Sequence, residues 1–216
     1  MNGVIQLLVL AGIALFLILR LRSVLGTREG FEKPPVPRPV EARRSGFEVI
    51  AGGPDMDIID HVEDGSDSAK ALAAFKMAEP GFSVNEFLGG AKGAYEMIRM
   101  AFENGDLGEI EDFISQDIHD AFVDVIGARE DQGLRVEANF VGVRETTLKE
   151  ATFNRETKEA EITVKFVGEM TSVVKDAEDN IVEGDATSIK RQRDVWTFAR
   201  TAGSDTPNWT LVATGE

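Results

Sequence analysis

Eighteen uncharged residues run from Asn2 to Leu19, and Arg20, Arg22 and Arg28 follow at once. As a helix rising about 1.5 Å per residue, the run is about 27 Å long, close to the roughly 30 Å hydrocarbon core of a bilayer. Residues 1–22 are therefore expected to form a transmembrane anchor. After a long polar interval, the Ala-rich stretch Ser68–Glu79 reads as a short helix carrying Leu72 and Phe75, stopped by Pro80-Gly81. Ser83 and Glu86 have the spacing of a capping box, and behind them Phe87, Leu88, Ala91, Ala94, Tyr95, Ile98, Ala101 and Phe102 recur at three-four spacing as far as Asn104-Gly105. A short helix is expected from Asp106 to about Ile114. A further one is expected over Asp117–Ala128, with Ile118, Ala121, Phe122, Val125 and Ile126 turned inward.

The period then falls to two. Leu134, Val136, Ala138 and Phe140 alternate with polar residues, as do Ala160, Ile162, Val164, Phe166 and Gly168, so both stretches read as half-buried strands. Ser188–Arg200 is a third strand and Trp209–Thr214 a fourth, with Asn154–Lys158 and Asp176–Asn180 as polar turns between strands. Helices followed by an antiparallel meander give an α+β domain, with N-terminal helices packed on one face of a curved sheet of about four strands. Gly89, Gly90 and Gly93 each cost about 1 kcal/mol inside a helix relative to alanine, and this predicts close approach by another backbone.

Charge changes the picture at the N-terminus. The start of the chain carries no basic residue and the apolar run has no small-residue cleavage site, which argues against a cleaved signal peptide. With the basic residues all behind the span, the positive-inside rule predicts an N-terminus outside and the remainder in the cytoplasm. Residues 1–44 hold seven Lys or Arg against three Asp or Glu, whereas residues 45–216 hold 16 against 35. Four of the seven prolines fall between Gly30 and Pro39, and acidic residues crowd Asp55–Asp67, so residues 23–66 are expected to form a flexible tether and 67–216 the domain. Such acidity excludes direct binding of nucleic acid by the domain, because phosphate neutralisation needs clustered cations. The chain has no cysteine, which removes disulfides, thiolate catalysis and cysteine-based zinc sites.

Candidate chemistry is sparse. Asp55, Asp57, Asp60, Glu63 and Asp64 offer oxygen ligands but lack the spacing of a calcium loop, and no metal or cofactor is expected. Gly89-Gly90-Ala91-Lys92-Gly93 lacks the pattern of a phosphate loop. His61 falls in the expected tether, and His119 beside Asp120 reads as a solvent-facing polar residue. Asp194, two residues before Trp196, either points inward or pairs with Arg191 or Arg193. Lys190-Arg191-Gln192-Arg193 reads as a charged edge strand that resists sheet-to-sheet pairing, or as a docking strip for an acidic partner or lipid headgroup. Trp196, Phe198 and Trp209 read as sheet core, or as sharing in a cavity or partner-binding site. No catalytic set is recognised.

Several of these segments together resemble the Tim44-like family. They are Leu19-Arg20-Leu21-Arg22-Ser23-Val24-Leu25-Gly26 after the span, Phe87-Leu88, Gly93-Ala94-Tyr95 and Ala101-Phe102 with Gly105-Asp106, then Val195-Trp196-Thr197-Phe198 and Asn208-Trp209-Thr210-Leu211. The resemblance is to bacterial members that carry an N-terminal anchor. It implies a cone-like domain related to the nuclear-transport-factor-two fold. Mitochondrial relatives tether a heat-shock seventy chaperone to the import channel, and others bind mitochondrial ribosomes at the membrane. It thus implies a non-enzymatic adaptor at the cytoplasmic face of the inner membrane, with the bilayer and a protein of translocation, chaperone or ribosome-associated kind as partners. The alternative is a binding module for a lipid or other apolar ligand in the cone, and an enzyme on the same fold stands lower.

Overall fold

A computed structural model describes residues 55–215; the expected anchor, its flank Arg20, Arg22 and Arg28, and the tether up to residue 54 lie outside the described residues. The elements run α1 (Met56–Ile59), α2 (Asp67–Ala78), α3 (Val84–Asn104), a 3-10 turn (Gly108–Phe113), α4 (Gln116–Asp131), then β1 (Arg135–Asn154), β2 (Glu159–Lys175), β3 (Ile181–Thr201) and β4 (Thr210–Gly215). The strands form one antiparallel sheet in the order β1-β2-β3-β4, with the helices preceding it in the chain. This is the α+β arrangement that the change of period implies. Among the described residues, no helix is long and apolar enough to cross a membrane.

α3 begins where its capping box predicts, with the Ser83 hydroxyl accepting from the Glu86 amide at 3.4 Å, and it ends on Gly105 in the left-handed conformation. Its inner face buries Phe87, Leu88, Ala91, Tyr95 and Ile98 against Ile162, Val164, Phe166, Trp196 and Phe198 of the sheet. Burying one such large side chain stabilises by about 1.5–3 kcal/mol, so this seam supplies much of the folding energy. Tyr95 stacks on Phe166 at 4.5 Å between ring centroids and tilts against Trp196 at 4.8 Å.

The glycine expectation is corrected. Gly89, Gly90 and Gly93 are exposed, and a Cβ on any of them would meet nothing within 4 Å. The close approach lies at Gly168 on β2, where a Cβ would stand 2.7 Å from the Tyr95 hydroxyl. Replacing Gly89 or Gly93 by alanine should therefore raise stability by about 0.5–1 kcal/mol each. The check is a denaturant titration, in which the midpoint rises and the slope stays constant.

The acidic segment at 55–66, expected to belong to the tether, is packed onto the domain. Ile58 is buried, and the Asp57 carboxylate accepts from the Val84 and Asn85 amides at 2.8 and 3.0 Å, from the Ser83 hydroxyl at 3.0 Å and from the Lys76 ammonium at 2.8 Å. The carboxylate thus occupies the positive end of α3, where amides lack intrahelical partners. Partial burial opposes its charge, but Lys76, the two amides and Ser83 together hold it well below the usual carboxylate range. The stabilisation is therefore complete above about pH 4 and is lost as the pH falls toward the depressed value. Asp57→Asn should cost about 2 kcal/mol at neutral pH. Urea midpoints should show the gap between wild type and variant narrowing as the pH is lowered below about 4.

Two further expectations change. On α4 only Ile118 is buried; Phe122 and Ile126 are half-buried, while Ala121 and Val125 face solvent. β1 continues fourteen residues past Phe140, carrying Leu148, Ala151 and Phe153 to the core cluster. Bulges between Phe140 and Gly142, Val143 and Glu145, and Leu148 and Glu150 interrupt the alternation that would have marked this half of the strand.

Candidate functional site

Among the concave surfaces of the described residues, three hold side chains that the sequence singles out. The first is a groove of about 310 Å³ between the N-terminal half of α3, the 3-10 turn and the loop entering β4. Phe198, 1% exposed, forms its floor, and Phe87 comes from the inner face of α3. Trp209 forms a wall, its ring 4.7 Å from that of Phe87 and 5.8 Å from that of Phe82. Phe82 stands just before the cap residue Ser83 and Phe87 four residues after it, the positions of a hydrophobic staple, with 6.3 Å between their rings. The half-buried Phe113 stands opposite. The 3-10 turn carrying it is fixed to β4 through the Ile114–Leu211 bridge and the Ser115 amide donating to the Leu211 carbonyl at 2.9 Å.

The helix side of this groove is low. Gly90 and Ala94 line it with almost no side chain, which leaves the helix backbone close to the groove surface. Its polar rim comes from Ser83, Glu86, Asn208 and Arg200. Arg200 approaches Glu79 at 3.7 Å, and its buried Nε has no hydrogen-bond partner among the described residues. Glu79 also accepts from the Gly203 amide at 2.8 Å, which ties the β3–β4 loop to the end of α2.

The second surface is a cleft of about 240 Å³ bordered by Trp196, Asp194, Gln192, Arg99, Phe102 and Phe122. Asp194 is 5% exposed and points inward: the Tyr95 hydroxyl donates to it at 2.5 Å. The alternative pairing with Arg191 or Arg193 is not formed. Arg191 donates to Glu169 instead, because alternation along β3 turns odd-numbered residues away from the core that Asp194, Trp196 and Phe198 enter.

The third surface is a polar trough of about 530 Å³ on that outer face, lined by Arg144, Glu145, Lys165, Val167, Arg191 and Arg193. The five partner-binding candidates named from sequence are thus divided between two faces of the sheet. Phe198 and Trp209 share the groove, Trp196 lies 3% exposed behind the second cleft, and Arg191 and Arg193 lie in the trough. Aromatic rings pack in the interior: Trp196 lies 6.0 Å from Phe166 and 6.3 Å from Phe198 between ring centroids.

Sequence reasoning assigned none of Phe82, Gly90, Phe113 and Arg200 to a binding site, although it singled out Gly90 as a costly helical glycine. The staple spacing of Phe82 and Phe87 was available as a signal, whereas Phe113 and Arg200 join the groove only through tertiary contacts. His119 is half-buried, 3.5 Å from its neighbour Asp120, and His61 bonds Asn85 at 3.0 Å. Among the described residues, no group of three His, Cys, Asp or Glu side chains could hold a metal ion.

The Tim44-like domain family matches residues 68–216. Among solved structures, the crystal structure of the intermembrane space region of the chloroplast protein ARC6 is similar at 12% identity and a TM-score of 0.39, over 57% of this chain and 88% of that one. No curated protein matches the sequence.

Proposed function

We propose, on the premise that the chain belongs to the Tim44-like domain family, that it is a membrane-anchored, non-enzymatic adaptor. Its domain holds a segment of another protein in the groove beside Trp209. The observation that carries this reading is the combination of aromatic walls with a glycine-lined helix. Partly exposed aromatic side chains in a pocket with a polar rim are the usual anchors of protein recognition. Gly90 and Ala94 leave room for a backbone to lie against α3.

The uncharged run from Asn2 to Leu19 followed by Arg20, Arg22 and Arg28 supports a single span in the inner membrane, with the domain on the cytoplasmic side. Anchoring raises the local concentration of the domain near a membrane-associated partner, so modest affinity in the groove is sufficient. The family premise makes a translocation, chaperone or ribosome-associated protein the partner class.

Gly90→Gln separates this reading from a purely structural role for the groove. The position is exposed with open space at its Cβ, so glutamine should leave the fold intact and raise helix stability by about 0.5–1 kcal/mol. The added side chain stands in the groove and should abolish crosslinking of the partner in intact membranes. Undiminished capture by a folded Gly90→Gln protein would contradict the reading.

A further inference from the structure

In a domain whose residues 45–216 carry 35 acidic against 16 basic side chains, four cations line the outer trough with one carboxylate, Glu145, and two of them bond to Glu169. Their placement follows from the ladder. Glu169 faces Arg191 across the β2–β3 pair, and Val167 faces Arg193. Arg144 is the extra residue of the bulge between Val143 and Glu145, and its side chain reaches across the β1–β2 pair to the same Glu169.

Glu169 is 7% exposed, and each of its oxygens accepts from one arginine: Arg144 Nε at 2.7 Å and Arg191 Nη2 at 3.0 Å. One buried carboxylate therefore fixes two guanidinium groups whose side chains are 68% and 58% exposed, leaving their other N–H donors outward. Lys165 is taken by Glu145 at 3.1 Å, while Arg193 makes no ion pair among the described residues. Preorganised arginines of this kind lose little freedom on binding a carboxylate or phosphate.

The spacing and the free strand edge match an extended acidic peptide. Arg191 and Arg193 are alternate residues of one strand, about 7 Å apart along it, and so are alternate side chains of an extended peptide. Carboxylates on alternate residues of an extended peptide therefore meet the two guanidinium groups in register. β4 covers β3 only from Val195 to Ala199, so the edge of β3 beside both arginines has no strand partner among the described residues.

We propose that the trough is a second docking surface, independent of the groove, for an extended acidic segment of a protein partner whose alternate carboxylates meet Arg191 and Arg193. Arg144, held by Glu169, extends the cationic face toward β1. The interaction is electrostatic, so it weakens as salt rises.

The test uses the full chain in zwitterionic detergent, titrated with an alternating threonine–glutamate octapeptide. The comparison probes are the same composition with glutamates in a block, inorganic phosphate, and a soluble short-chain phosphatidylglycerol. The alternating peptide should bind more tightly than the block peptide. The exposed double substitution Arg191→Gln with Arg193→Gln should weaken it about tenfold or more. Absence of binding, or binding indifferent to the double substitution, would overturn the proposal. So would displacement of the peptide by phosphate or the short-chain lipid at equal charge concentration, which would assign the trough to phosphate groups.

Discussion

Tyr95→Phe should destabilise the domain by about 2–4 kcal/mol, although it removes one oxygen and no packing volume. The hydroxyl is the close donor to Asp194, and without it that carboxylate keeps only the Gln192 amide, 3.5 Å away. At 5% exposure Asp194 cannot recover the loss from water, and a buried acceptor left unpaired costs far more than the net worth of its bond. Urea unfolding measures the effect. A change below about 0.5 kcal/mol would mean that Asp194 is solvated through the adjoining cleft. Tyr95 is the chain's single tyrosine, so its ionisation can be followed by phenolate absorbance. Burial first, then the Asp194 hydrogen bond, push its phenol well above the ordinary range. The resulting stabilisation is complete below about pH 10 and is lost as alkali ionises the phenol of the unfolded chain. Phenolate absorbance should therefore appear only with unfolding, and Tyr95→Phe should lack this alkaline phase.

Gly168→Ala should cost about 2–3 kcal/mol. Its Cβ would stand 2.7 Å from the Tyr95 hydroxyl and 3.0 Å from Tyr95 Cε1, and the ring has no direction in which to yield. It is stacked on Phe166, edge-on to Phe140 and bonded to Asp194. The two substitutions should be non-additive, because removing the hydroxyl relieves the shortest contact; a double-mutant cycle reads this coupling directly. Strict additivity would show that strain at Gly168 falls on the β2 backbone instead.

These two positions mark where sequence reasoning stops. The stripe containing Tyr95 and the alternation containing Gly168 and Asp194 are each legible from their periods, and so are the helix ends set by Ser83 and Gly105. That Gly168 lies beneath Tyr95 depends on how α3 crosses the sheet, and periodicity carries no such information. Local cost misled at Gly89, Gly90 and Gly93, because a helical glycine is equally disfavoured whether its missing side chain makes room for a backbone or faces open space. The acidic run misled at Asp57 for a related reason. Composition describes a solvated segment well, but one carboxylate aligned with the amides of Val84 and Asn85 is enough to seat it. The second half of β1 was hidden by bulges, and the early residues of β3 by exposure along Ile181–Arg191, which leaves no buried face to pattern.

The candidate site was legible in part. Trp209 and Phe198 stood out as aromatics in a strand and at its approach, and they share the groove. Arg191 and Arg193 stood out as cations in an acidic domain, and they face the other way. What separates them is the parity of β3, which places Trp196 and Phe198 inward and the arginines outward.

The central claim, that the groove holds a protein partner, is tested most directly by photocrosslinking in intact membranes with the full chain. A crosslinking side chain at Asn208, on the groove rim, should capture one protein; the same group at the exposed Asp124 of α4 should not. Capture from Asn208 should vanish when Gly90 is also replaced by glutamine. Equal capture from both positions, or capture from Asn208 that survives Gly90→Gln, would contradict the account.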